Sequence, residues 1–127
     1  MPNFKYIQYE LDKIKKAIKE TNIRVSAHPS EYISLTSENE NVLSNSIKDL
    51  ESHAELFDRL EISRSYYNPL NIHIRKEGDA EDLSGTFIKN FERLSESVKS
   101  RLVLENNDTG NTWTVKNLKK YFYNRHN

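Results

Sequence analysis

Apolar residues recur along this chain at two different spacings, and the spacings divide it into helices and strands. Phe4, Ile7, Leu11, Ile14 and Ile18 follow at three- and four-residue steps, with Lys13, Lys15, Lys16 and Lys19 mostly off that stripe. One face of a 3.6-residue repeat is therefore apolar, which predicts an amphipathic helix ending near Thr21 and Asn22. A second stripe, Leu43, Ile47, Leu50, Ala54, Phe57 and Leu60, predicts a helix after the polar stretch 34–41. A third helix is expected through Phe87, Phe91, Leu94 and Val98, and a last one through Val115, Leu118 and Phe122, with Thr114 as its N-cap. Between the stripes lie three runs too short for helices, 23–27, 70–74 and 101–105, and each reads as a strand. His28-Pro29 stops the first, because proline disfavours helix at the residue before it.

The predicted order α-β-α-β-α-β-α implies parallel strands joined by helical crossovers. No glycine-rich phosphate loop follows any strand, which argues against a dinucleotide-binding sheet. Three parallel strands under four helices leave two sheet edges unpaired, whereas parallel sheets are normally buried. The expected fold class is therefore α/β, a portion of a (β/α) barrel.

Composition narrows the function classes. The chain has 127 residues, room for one small domain, with 35% hydrophobic and 30% charged residues. Nineteen basic and nineteen acidic residues cancel, so net charge alone makes no case for a nucleic-acid partner. The absence of cysteine excludes disulfides and thiolate metal sites. No apolar run approaches the roughly 20 residues that span a bilayer, and the N-terminus has no apolar signal core. No membrane partner and an intracellular location are expected.

Candidate chemistry emerges when the strands are read two residues at a time, because side chains alternate faces. Ile23, Val25 and Ala27 share a face, as do Leu70, Ile72 and Ile74, and Leu102 and Leu104. The opposite phase carries Arg24, Ser26, Asn71, Arg101 and Val103, and it ends in His28, His73 and Glu105. Each of these three lies at or just past the C-terminal end of its strand, the rim where parallel barrels collect functional groups. Two imidazoles and a carboxylate suit divalent ions such as Mn²⁺, Zn²⁺ or Fe²⁺, and Glu105 has the two oxygens needed to bridge a pair of ions. A lone histidine is usually a packing or surface residue; three ligand-type residues at equivalent strand ends and in the same phase favour a metal site. His53, near the second apolar stripe, reads as a buried structural histidine, and His126 lies in the terminal tail.

At these residues the sequence resembles the UV-damage endonucleases. The strings are Arg24-Val25-Ser26-Ala27-His28-Pro29-Ser30-Glu31-Tyr32; Asn45-Ser46-Ile47 with Leu50-Glu51-Ser52-His53-Ala54; Asn71-Ile72-His73; Arg101-Leu102-Val103-Leu104-Glu105-Asn106-Asn107-Asp108; and Trp113-Thr114-Val115. They cover most of the chain in the family's order. The resemblance implies a TIM-type barrel, with residues 1–127 as its central portion, about three parallel strands and four helices, incomplete at both ends. It implies metal-dependent hydrolysis of damaged double-stranded DNA on the 5′ side of a lesion such as a pyrimidine dimer, with manganese as the expected metal and zinc or magnesium as alternatives. Carried over by position, His28, His73 and Glu105 match metal ligands, and Glu31-Tyr32 matches the pair inserted at the lesion. The family's pair begins with glutamine, where this chain has Glu31. After the second strand the family has a glycine-containing turn, where Ile74-Arg75-Lys76-Glu77 precedes Gly78 here; Arg75 and Lys76 are candidate phosphate contacts or solvated surface. The family's remaining ligands lie on strands outside this sequence. An isolated chain is accordingly expected to be inactive, with a truncated non-catalytic relic, or one half of a split enzyme needing a second chain, as the alternatives. A sugar isomerase shares histidine and glutamate rim ligands but not the His-Pro-x-x-Tyr string.

Overall fold

In the computed structural model, which describes residues 4–107 and 110–122, helices outnumber strands. In chain order the elements are α1 (Phe4–Thr21), α2 (Glu40–Arg59), β1 (Leu70–His73), α3 (Ala80–Phe91), α4 (Glu96–Lys99), β2 (Leu102–Glu105) and α5 (Val115–Tyr121). The strands pair in parallel, with Leu70 opposite Leu102 and His73 opposite Glu105. The α/β class and parallel order stand as expected. The expectation of three strands and four helices does not: the described residues form two strands and five helices.

The missing strand has a specific cause. Of residues 23–27 only Ala27 joins the sheet, through a single parallel bridge to Leu70. Ala27 N–H donates to the Pro69 carbonyl, and Asn71 N–H donates to the Ala27 carbonyl. One step earlier the ladder would require the N–H of residue 69 to reach Val25, and proline has none. Val25 N–H is instead met by the Asn68 side chain at 3.1 Å, and the Arg24 guanidinium takes the Tyr67 carbonyl. Asn22 turns the chain with φ 52, and Ile23 is left exposed.

The third stripe divides for a similarly local reason. α3 ends at Phe91, and Val98 belongs to the separate short α4. Ser95 caps α4 by accepting from Val98 N–H, while Glu51 of α2 accepts from both the backbone N–H of Ser95 at 2.8 Å and its hydroxyl at 2.5 Å. A glutamate on the neighbouring helix thus fixes the break. Thr114 caps α5 as the sequence predicts, and Asn39 and Asp79 cap α2 and α3.

Packing follows the stripes closely for α2 and loosely for α1. Leu43, Leu50, Ala54 and Phe57 of α2 are buried against Leu70, Ile72 and Ile74, one phase of the β1 region. Leu11 is buried on α1, but Ile14, placed on the same stripe, is 47% exposed. Leu35 and Thr36, at the start of the stretch read as polar, are buried. Asn90 donates to the Leu35 carbonyl at 2.8 Å, and Ser46 accepts from Ser34 N–H, so this loop is fastened to α3 and α2. On its far edge β2 borders a groove of about 940 Å³ whose walls include Leu102, Leu104, Phe87, Phe91 and Leu118.

Arg101 departs most from its expected place. Its strand phase put it on the open inner face, yet it is fully buried just before β2. Its guanidinium donates to Asp58 at 3.0 Å, the Ser97 hydroxyl at 2.7 Å and the Ile62 carbonyl at 2.6 Å, and lies over the Phe57 ring. Arg64 adds a two-pronged pair to the same carboxylate, and Ser97 donates to it at 2.7 Å. Partial burial raises the Asp58 pKa, but the bonds from Arg64, Ser97 and Arg101 and the charge of Arg101 outweigh it and hold the group at about 2.

This network ties the end of α2 to the start of β2, so Asp58→Ala should strand a buried charge and cost roughly 3 kcal/mol in denaturant unfolding. Because the folded pKa is depressed from 3.8, the carboxylate's contribution is complete above that value and disappears as pH falls through about 2. Asp58→Asn should flatten the acid limb of the stability profile. An unchanged midpoint for Asp58→Ala would refute the role of the network.

Candidate metal centre

Parallel pairing brings the C-terminal ends of β1 and β2 side by side. His73 closes β1, Glu105 closes β2, and their backbones are direct partners. His73 Nε2 stands 2.9 Å from Glu105 Oε2. His28, one residue beyond the Ala27 bridge, brings Nδ1 to 4.0 Å from Glu105 Oε1. One carboxylate therefore faces two imidazoles, each on a different oxygen. His28 is the looser member, with its side chain 67% exposed against 29% for His73.

The donor set fits a divalent ion in its chemistry. A separation of 2.9 Å suits a hydrogen bond, and it also suits adjacent ligands on one ion, which sit roughly 3 Å apart when the bonds are about 2.1 Å. His73 Nδ1 is buried without a hydrogen-bond partner, one polar atom the described residues leave unsatisfied. Such an atom costs about 1–3 kcal/mol while it lacks a partner, but it is the ring nitrogen that faces away from Glu105, so the nitrogen available to an ion shared with that carboxylate is Nε2. Among the described residues no three histidine, aspartate or glutamate side chains form a ready-made cage for one ion. The three predicted residues are brought to one place, with two of them in direct contact.

Beside them lies a cleft of about 210 Å³ lined by His28, Glu31, Asn71, His73 and Arg75 among others. Glu31 and Tyr32 sit at the tip of a turn closed by Ile33 N–H donating to the Ser30 carbonyl at 3.1 Å. The Ser30 hydroxyl accepts from Tyr32 N–H. Pro29 and Ile33 on either side are buried, while Tyr32 is 83% exposed. The turn is anchored at both ends and presents its aromatic ring to solvent.

Asn107 and Trp113, quoted in the sequence strings without a role, turn out to organise the rim. Asn107 donates to the Ile74 carbonyl at 2.7 Å, and Trp113 Nε1 donates to the Lys76 carbonyl at 2.7 Å. Asn107 N–H closes the set on the Trp113 carbonyl. A buried tryptophan needs an acceptor for its indole N–H, the one signal in the sequence that could have marked the contact. His53, expected to be buried, is half-buried on α2, with Nδ1 2.8 Å from the Asp49 carbonyl. His126 lies outside the described residues.

Comparison with known proteins identifies the family. The model of the UV-endonuclease UvdE family matches residues 2–121. A UV DNA damage endonuclease of Clostridium perfringens is 41% identical over 100 residues, which are 78% of this chain and 24% of that protein. One from Nostoc is 40% identical over 102 residues, covering 80% of this chain and 30% of its own length. The UV-damage endonuclease of Schizosaccharomyces pombe is 34% identical over 116 residues, 89% of this chain and 19% of that protein. The crystal structure of SacUVDE superposes with a TM-score of 0.82 at 32% identity, over 94% of this chain and 39% of that one. The chain thus spans less than a third of the length of these curated relatives, and it belongs to the UV-endonuclease UvdE family.

Proposed function

We propose that this chain carries part of the metal centre and the lesion-reading turn of a UV-damage endonuclease, a hydrolase that opens a DNA phosphodiester 5′ to a pyrimidine dimer or similar lesion. The observation that supports it best is the placement of His73 opposite Glu105 at 2.9 Å, with His28 and the Glu31-Tyr32 turn around the same cleft. Family membership and relatives named for UV-damaged DNA point to the same substrate. Among the described residues no helix is long and apolar enough to cross a membrane.

In this reading His28, His73 and Glu105 hold a divalent ion, manganese by preference, with zinc or magnesium as alternatives. Such an ion supplies positive charge to phosphoryl oxygens and makes water more acidic. The chain's own residues position the substrate. Glu105, spanning two imidazoles, orients both rings, and Asn71 shares the face and cleft of His73. Tyr32 offers a ring on which a base can stack, and its anchored turn lowers the ordering cost of binding. Glu31 places a negative charge where DNA approaches, which disfavours phosphate unless a cation stands nearby.

A second reading, one half of a split enzyme, is favoured by one feature: the groove beside β2 presents an apolar wall and an open strand edge. A further strand, from the same or a second polypeptide, would cover it. Either way, the 127-residue chain by itself should leave irradiated plasmid intact at any Mn²⁺ concentration. Incision that disappears in His28→Ala would overturn that expectation.

Calorimetric titration of Mn²⁺ should give weak binding to the chain and at least tenfold weaker binding to His73→Ala, the direction expected on losing a ligand; identical isotherms would remove the site. For DNA, stacking is worth about 1–3 kcal/mol per base. Tyr32→Ala should therefore lose more affinity for a dimer-containing duplex than for an undamaged one, and equal losses would strip Tyr32 of a lesion-reading role. Glu31→Gln should tighten binding to both duplexes. Weaker binding would mean that Glu31 makes a favourable contact of its own.

A further inference from the structure

Among the described residues, five of the six arginines are engaged. Arg59 pairs with Glu55, Arg93 with Glu40, Arg64 and Arg101 with Asp58, and Arg24 with the Tyr67 carbonyl. Arg75 differs. It is exposed, and its guanidinium has no ion pair or hydrogen bond among the described residues. Carboxylates are as numerous as cations here, so an unpaired guanidinium is not explained by a shortage of acids.

Position makes the unpaired group informative. Arg75 borders the cleft that holds His28, Glu31, Asn71 and His73, and also the adjoining smaller cleft bordered by Tyr32. Its backbone is fixed on both sides: Asn107 holds the carbonyl of Ile74, and Trp113 holds that of Lys76. Thr112 fastens the next turn through both the N–H and the carbonyl of Gly78. The backbone is braced, so a ligand has to order the Arg75 side chain alone and not the segment that carries it.

We propose that Arg75 is a DNA-phosphate ligand that holds the backbone beside the base read by Tyr32 and offsets the negative charge of Glu31 in the same clefts. A guanidinium presents a planar fork of donors matched to a phosphate's oxygens, and it keeps its charge at any working pH. The proposal rests on the DNA-binding reading above and adds to it the residue that compensates for Glu31.

The test is equilibrium binding of the 127-residue chain to a short duplex, with and without one cyclobutane thymine dimer, across a salt series. A phosphate contact acts on both duplexes alike and through counterion release. Arg75→Ala should weaken both by about tenfold at low salt and reduce the slope of log K against log salt by about 0.9. The preference for the damaged duplex should be unchanged. Arg75→Lys should retain most of the slope, and Arg75→Glu should weaken binding further than Arg75→Ala. Because the side chain is exposed and unpartnered, each variant should keep the wild-type circular dichroism and melting, so a loss of binding is not a loss of fold. If the wild type prefers damaged DNA and Arg75→Ala matches it in affinity and slope, the Arg75 proposal fails while the DNA reading stands. If the wild type binds neither duplex, or shows no preference that Tyr32→Ala removes, the underlying reading fails instead.

Discussion

The contact between His73 and Glu105 depends on the register of one parallel strand pair. Leu70 lies opposite Leu102, and three steps later His73 lies opposite Glu105. Neighbouring strands are about 4.8 Å apart, so two side chains in register and in phase meet without any further device. The same register turns Leu70 and Ile72 into the core. A slip of one residue would exchange the faces, burying the imidazole phase and presenting isoleucines at the rim. Burial of the apolar phase therefore selects the geometry of the polar one.

The two ends of the strand pair are stabilised differently. At the N-terminal end, Arg101 is fully buried and satisfied by Asp58, Ser97 and backbone carbonyls. This end is closed by a charge network and carries no proposed chemistry. At the C-terminal end, among the described residues, His73 retains an unpartnered buried nitrogen and Arg75 an unpartnered cation. Asn107 and Trp113 brace the backbone around them. Bonds saturate the closed end, and at the other end they hold the backbone frame around side chains that have few partners among the described residues.

The sequence reveals the helical stripes, the parallel order and the rim trio, because each is a periodic signal. Strand phase and register place His73 against Glu105, and the single Ala27 bridge sets His28 beside them at 4.0 Å. Three features are hidden from periodicity. The 23–27 strand fails at the missing N–H of Pro69, a cross-strand requirement visible only once the partner is known. The third stripe breaks because Glu51, distant in sequence, captures Ser95. Arg101 shares its phase with Glu105, yet it lies before the strand proper and turns towards Asp58 on α2. Each miss turns on a long-range polar contact, made or missing, which a local apolar pattern does not encode.

The most direct measurement of the central claim is a double-mutant cycle in Mn²⁺ affinity between His73→Ala and Glu105→Gln. If the register makes these side chains one site, the double variant should bind little worse than either single variant. The effects would then be non-additive by about 1 kcal/mol or more. Additive losses, or no loss in either variant, would show that the two residues act apart and would contradict the account.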